Sequence, residues 1–161
     1  MEKILNLSES EKIAKKLRAK GEKIVLTGGC FDLLHIGHLH FLEKAKMAGD
    51  VLIIALESDI NVKKLKGVHR PINSQLERAR LLTALSLVDY VVLLPKMSSY
   101  KDYEKLVQSL CPDAIAITTN DPQIQNKKRQ AKLVGAKVKV VAPLLKNKST
   151  SKIAQILASE L

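Results

Sequence analysis

Three of the four histidines in the chain, His35, His38 and His40, fall within six positions of one another, inside GGCFDLLHIGHLHFLEKAK (residues 28–46). His35 and His38 are three apart, where a glycine-bearing turn leads into an apolar-periodic helix. Imidazoles at such a mouth can donate hydrogen bonds to phosphoryl oxygens, more strongly as negative charge develops in a transition state. Gly28 and Gly29 let the backbone approach a ligand, and a helix starting near Gly37 aims unpaired N–H groups and partial positive charge at the same spot. A plainer reading keeps the two histidines as a helix N-terminal feature satisfied by local hydrogen bonds. Cys30, His35, His38 and His40 match none of the usual paired-ligand zinc spacings, and His40 is expected to face away from His38, so no side-chain metal site is read here. GGCFDL is not GxGxxG, and Glu57 or Asp59 is the only candidate for a ribose-binding acid after the second core strand. A dinucleotide-dependent dehydrogenase is therefore disfavoured.

The elements around this turn follow from periodicity. SESEKIAKKLRAKG reads as a leading helix, with Ser8 and Glu11 forming a capping box and Gly21 as its stop. KIVLTGG is a strand, GHLHFLEKAKMAG a helix, and DVLIIALE a strand so uniformly apolar that helices must cover both its faces. NSQLERARLLTALS, DYVVLL, YKDYEKLVQSL, AIAIT, PQIQNKKRQAKLVG, AKVKVVA and STSKIAQILASEL continue the alternation. The pattern predicts a Rossmann-like α/β three-layer sandwich with a five-stranded parallel sheet. One domain over 1–161 is expected, a leading helix in 1–21 and the core in 22–161. In open sheets of this kind ligands sit outside the carboxyl ends of the strands, which is where the histidines fall.

Composition narrows the partners. Twenty-seven basic against sixteen acidic residues give a net charge of +11, which favours an anionic ligand. Aromatic residues make up 3% and tryptophan is absent, so base-stacking platforms are hard to assemble and nucleic acid is disfavoured as the main partner. No apolar run approaches the ~20 residues of a membrane span, and the first residues lack the apolar stretch of a secretory leader. Cys30 and Cys111 lie far apart without a CxxC, which points to free thiols and a cytoplasmic setting.

Together these stretches resemble the HxGH-motif nucleotidyltransferase (cytidylyltransferase-like) superfamily, the motif standing here as His35-Ile36-Gly37-His38. EKIVLTGGCFDLLHIGH followed by ESDINVKKLKGVHRPINSQLERARLLTALSLVDYVV is similar in order and spacing to the heptose-phosphate adenylyltransferase domain of ADP-heptose synthesis, including stand-alone forms with a leading helix. Glycerol-3-phosphate cytidylyltransferase and archaeal FAD synthetase are nearby relatives. Class I aminoacyl-tRNA synthetases share HIGH, but this chain has no KMSKS segment. The resemblance implies in-line attack of an acceptor phosphate on the α-phosphorus of an NTP, ATP before CTP, with Mg²⁺ carried by the triphosphate. It assigns catalysis to His35, His38, Lys64 and Lys66, the lysines of KKLKG forming a flexible segment that closes over the phosphates; by itself that run reads equally as solvated surface charge. It assigns nucleotide binding to Gly28, Gly29, Cys30, Phe31, Asp32, Gly37, Asp121, Ser149, Thr150 and Ser151. Asp32 would shape the loop or the ion environment, and Arg78 would serve as a structural ion-pair partner or a ligand.

Two departures bear on the substrate. The cytidylyltransferases read Arg-Thr-x-Gly-Ile-Ser-Thr before the last helix, whereas LLKNKSTS has neither the arginine nor the glycine, with Lys146 or Lys148 as replacement charge. The heptose enzymes carry Lys-Gly-Gly-Asp after the fourth core strand, whereas this chain has Thr118-Thr119-Asn120-Asp121. The acceptor is accordingly expected to be a small phosphorylated metabolite such as a heptose 1-phosphate. Glycerol 3-phosphate or a similar polyol phosphate, FMN, or a non-catalytic nucleotide- or nucleic-acid-binding role are the alternatives. The resemblance further implies a homodimer, to which LVDYVVLL could contribute.

Overall fold

The computed structural model describes residues 2–143 and 150–159. The chain runs β1 (Ile4–Leu5), α1 (Leu7–Ala19), β2 (Ile24–Gly29), α2 (Ile36–Lys46), β3 (Val51–Leu56), α3 (Asp59–Lys66), α4 (Gln75–Thr83), β4 (Tyr90–Leu93), α5 (Tyr100–Leu110), β5 (Ala114–Thr118), α6 (Ile124–Val134), β6 (Lys137–Ala142) and α7 (Thr150–Ser159). All strand pairs are parallel, in the order β1-β4-β3-β2-β5-β6. The chain winds outward in one direction from β2 to β4 and in the other from β5 to β6. The strand order therefore reverses between β2 and β5, the switch point at which such sheets open a crevice.

Among the described residues the sheet has six strands and not the five expected from sequence. The extra strand, β1, is two residues long, too short for any periodic signal, and it exists because Ile4 and Leu5 align with Val91 and Val92 of β4. It also moves the cap of α1. Asn6, the residue leaving β1, accepts from the Glu9 N–H at 3.0 Å while Glu9 accepts from the Asn6 N–H at 2.8 Å. This capping box replaces the expected Ser8–Glu11 pair, and Glu11 instead bonds Lys15 on the next turn at 2.7 Å. The leading segment is thus part of the sheet. Within LVDYVVLL, β4 runs between β1 and β3, with Val88, Val91, Val92 and Leu94 buried and Leu87, Asp89, Tyr90 and Leu93 half-buried.

Alternation along the strands divides the core in two. Ile24, Leu26, Ile53 and Val92 pack with Leu106 and Leu110 of α5 on one face, while Val25, Leu52, Ile54 and Val91 pack with Leu42 of α2 and Leu82 of α4 on the other. Each fully buried Leu or Ile contributes about 1.5–3 kcal/mol from burial, before the opposing chain entropy. That two-sided cover explains why β3 is buried at all six positions. Among the described residues no helix is long and apolar enough to cross a membrane.

Candidate active site

Where β2 ends, the chain turns sharply before α2. Gly29 has to lack a side chain, because a Cβ there would lie 2.8 Å from the Phe31 ring, itself buried; at Gly28 a Cβ would make only ordinary contact with Ala55. Phe31 adopts a left-handed φ of 44°, which swings the chain so that Asp32 points inward. Asp32 accepts from the N–H groups of Ile72 (2.9 Å) and Asn73 (3.0 Å) and pairs with Arg70. Burial pushes its carboxyl up, but those amides and the Arg70 guanidinium outweigh burial and hold it below the ordinary carboxylate range. Asp32 therefore binds the loop after β2 to the segment before α4.

His35 caps α2, its Nδ1 accepting from the Gly37 N–H at 3.1 Å. That bond fixes the tautomer and leaves the proton on Nε2, the nitrogen able to donate to a ligand. It also occupies the Gly37 N–H, which is then not free for phosphate. The His35 and His38 rings stack at 3.9 Å between centroids, and Phe31 covers His38 at 5.2 Å. Burial, and then the neighbouring His35, push His38 down to about 4, while the Leu33 backbone opposes this; burial lowers His35 as well. Both imidazoles are neutral at neutral pH. His38 Nδ1 is buried and forms no hydrogen bond of good geometry. His40, two residues on, lies around the helix from His38, and among the described residues no group of three or more His, Cys, Asp or Glu side chains could hold a metal.

The lysine run, which the resemblance casts as a segment closing over the phosphates, forms the second half of helix α3. Ser58 caps α3, accepting from the Asn61 N–H at 3.3 Å, and Lys64 and Lys66 occupy the last turn, where cations oppose the helix dipole, before Gly67 at φ 105° ends it. Both ammonium groups are exposed. Lys66 lies close enough to Cys30 for its charge to counter part of the burial that raises that thiol.

Arg78 of α4 locks these parts together. Fully buried, it donates to the carbonyls of Cys30, Glu57 (2.8 Å) and Asn73 (3.1 Å) and pairs with Asp59 at 2.7 Å. Of its two expected roles the geometry supports the structural one. Asp121 is likewise engaged: it accepts from the Gln123 N–H and pairs with Lys127, both at 2.7 Å, so it shapes the entry to α6. Ser149, Lys146 and Lys148 lie outside the described residues; Thr150 and Ser151 open α7, with their side chains also outside that description.

A cleft of about 650 Å³ opens beside the switch point, over the ends of β2 and β3 and between α3, α5 and α6. It takes in Gly28, Gly29 and Lys64 from the expected set, together with Glu57, Asn61, Tyr103 and Lys127, which the sequence reading did not place in a site of this kind. His35, His38 and Asp32 lie outside its lining. Only Glu57 carried a usable signal, a lone acid at the end of an otherwise apolar strand.

Fold and geometry thus define an open, doubly wound parallel α/β protein with an imidazole-capped helix following β2 and a lysine-bearing cleft over the ends of β2 and β3, beside the switch point. The chain belongs to the cytidylyltransferase-like family, whose model matches residues 26–156. It is 48% identical over 114 residues to the bifunctional protein HldE of Wolinella succinogenes, covering 71% of this chain and 23% of that protein. With the bifunctional protein HldE of Geobacter metallireducens it shares 39% identity over 157 residues, covering 96% of this chain and 31% of the relative. The chain therefore spans only about a quarter to a third of these relatives. Among solved structures, the lipopolysaccharide core biosynthesis protein of Thermoplasma volcanium matches with TM-score 0.62 at 29% identity, over 76% of this chain and 97% of that one. Pantoate-β-alanine ligase of Francisella tularensis matches with TM-score 0.68 at 18% identity, over 94% of this chain and 72% of that one, and shares the fold.

Proposed function

We propose that this chain is a nucleotidyltransferase, an adenylyltransferase that moves the nucleoside monophosphate of ATP onto the phosphate of a small sugar phosphate such as a heptose 1-phosphate. An acceptor phosphate oxygen forms a bond to the α-phosphorus as the bond to the pyrophosphate oxygen breaks, and pyrophosphate leaves without a covalent enzyme intermediate. The observation that carries this reading is the stacked, neutral His35–His38 pair at the start of α2, beside the strand-order reversal, in a chain of this family.

His35 donates through Nε2 and His38 through its own N–H toward the α- and β-phosphate oxygens, and Lys64 and Lys66 supply positive charge from the end of α3. Gly28, Gly29, Cys30, Phe31 and Gly37 form the turn that accommodates the nucleotide, and Asp32 and Asp121 hold the loops on either side. Ser149, Thr150 and Ser151 take the β- and γ-phosphates. The Asp32 oxygens are already occupied by Arg70 and two amides. The residues around the turn therefore fit a Mg²⁺ delivered by the triphosphate, held mainly through phosphate oxygens and water. Such an ion supplies charge neutralisation at the phosphates.

The proposal takes 1–161 as one domain acting in the cytoplasm with Cys30 and Cys111 as free thiols. It also takes the chain as a homodimer, supported by the exposed apolar side chains Ile60, Leu65, Val68 and Ile72 along α3 and the following segment; sedimentation equilibrium tests this. The activity is tested by pyrophosphate release from each of the four NTPs against sugar 1-phosphates, glycerol 3-phosphate and FMN. Turnover with ATP and a sugar phosphate is expected. Turnover with CTP and a polyol phosphate would replace the adenylyl reading, and salt-sensitive binding of RNA or DNA without turnover would replace the enzyme.

A further inference from the structure

The lining of the cleft includes a carboxylate with no ion-pair partner among the described residues. Glu57, 8% exposed at the end of β3, accepts from Tyr103 Oη at 2.9 Å and from Asn61 Nδ2 at 3.0 Å. Among the described residues no lysine or arginine forms an ion pair with its side chain. Asn61 spends its Nδ2 group on Glu57, on the Met97 carbonyl at 3.3 Å and on Tyr103 at 3.3 Å. Burial and then the Glu57 charge push the Tyr103 hydroxyl up, so it stays protonated and donates its one hydrogen to Glu57. Donor capacity is therefore consumed, while acceptor capacity is left over: an ionised carboxylate offers about four lone-pair sites, of which two are used, and the Tyr103 oxygen can accept again. A phosphate could not sit here, since it too brings only acceptors and negative charge.

Two cations also line the cleft. Lys64 reaches it from α3 and Lys127 from α6, the latter fixed by Asp121 at 2.7 Å. Lys127 brings an ammonium group to the cleft beside the segment Thr118-Thr119-Asn120-Asp121, where the Lys-Gly-Gly-Asp of the heptose enzymes is missing its lysine.

On the reading above, we infer that this cleft is the acceptor site, that Glu57, Tyr103 and Asn61 select a ligand by its hydroxyl donors, and that Lys127 with Lys64 takes its phosphate. The ligand class is a phosphorylated polyol or sugar with neighbouring hydroxyls at the end remote from the phosphate. Two such hydroxyls can donate to the two oxygens of one carboxylate, which an acceptor lacking them leaves buried and under-satisfied. The reacting phosphate is thereby turned toward the rim at Lys64, near the histidine turn.

Calorimetric titration of sugar phosphates, their deoxy analogues and ATP into the wild type, Glu57→Gln, Tyr103→Phe and Lys127→Gln tests this independently of turnover. A polyol phosphate is expected to bind the wild type, with affinity falling about 10-fold or more in Tyr103→Phe and Glu57→Gln and on removal of the remote hydroxyls. ATP affinity should stay within about twofold, and Lys127→Gln should weaken the phosphorylated ligand but not the free polyol. Circular dichroism of each variant confirms folding, and Tyr103→Phe keeps the ring and its packing, so the test stands even where Glu57→Gln fails to fold. Absence of polyol-phosphate binding in the wild type, equal affinity in the variants, or an equal loss of ATP would overturn the assignment. The NTP turnover screen separately decides the enzyme reading, so the two can fail apart.

Discussion

At the residue scale the proposed activity is tested most directly at His38. On the proposed function, substitution of His38 by alanine is expected to lower kcat by about 100-fold or more with a small change in KM for the NTP, because the imidazole would act on charge that develops in the transition state. His40→Ala should leave kcat near the wild-type value. The same imidazole ties stability to pH. Its folded pKa of about 4 lies below the ordinary 6.5, so in that window the unfolded chain binds the proton more readily. The contribution is complete above pH 6.5 and is lost as pH falls toward 4. Thermal melts should show Tm falling across this range, and His38→Gln should flatten the slope; an unchanged slope would mean His38 titrates normally.

Secondary-structure elements carry the positioning. Arg78 joins four segments by side-chain bonds to Cys30, Glu57, Asp59 and Asn73. Arg78→Met should destabilise the fold by about 3 kcal/mol or more, since three carbonyls lose their donor at once. Urea unfolding would read this as a lower midpoint. Lys64→Ala leaves the end of α3 intact and should cut turnover with little change in the urea midpoint, which separates charge at the site from support of the site. The strands β2 to β6 and most of the helices were legible because hydrophobic period, β-branched runs and glycine stops are local signals. α3 was not, because its eight residues give little periodicity and its stability comes from the Ser58 cap and from Arg78 holding Asp59. β1 was not, because two residues acquire strand geometry only from the β4 edge.

For the whole molecule, β1 closes the edge that β4 would otherwise present. Leu5→Ala should cost about 2–5 kcal/mol, the range for emptying a buried leucine site, and should increase aggregation as the β4 edge frays; static light scattering after partial denaturation measures the latter. The net charge of +11 acts at the same scale and, on the proposed function, would help recruit two anionic reactants. KM for the NTP is expected to rise with ionic strength while kcat changes little, in initial-rate assays from low to physiological salt.

By itself the sequence determined the alternation of strands and helices, the glycine turn and the paired imidazoles at the start of a helix, because each is encoded by residues within a few positions of one another. Only the tertiary structure decided that Glu57 meets Tyr103, 46 positions away, that Arg70 meets Asp32, and that Lys127 enters the cleft near the missing lysine. Those meetings depend on the strand order, which brings β2, β3 and β5 together with helices on both faces. Local periodicity specifies each element's faces but not its neighbours, so the cleft with Glu57, Tyr103 and Lys127 emerges only when the sheet is assembled.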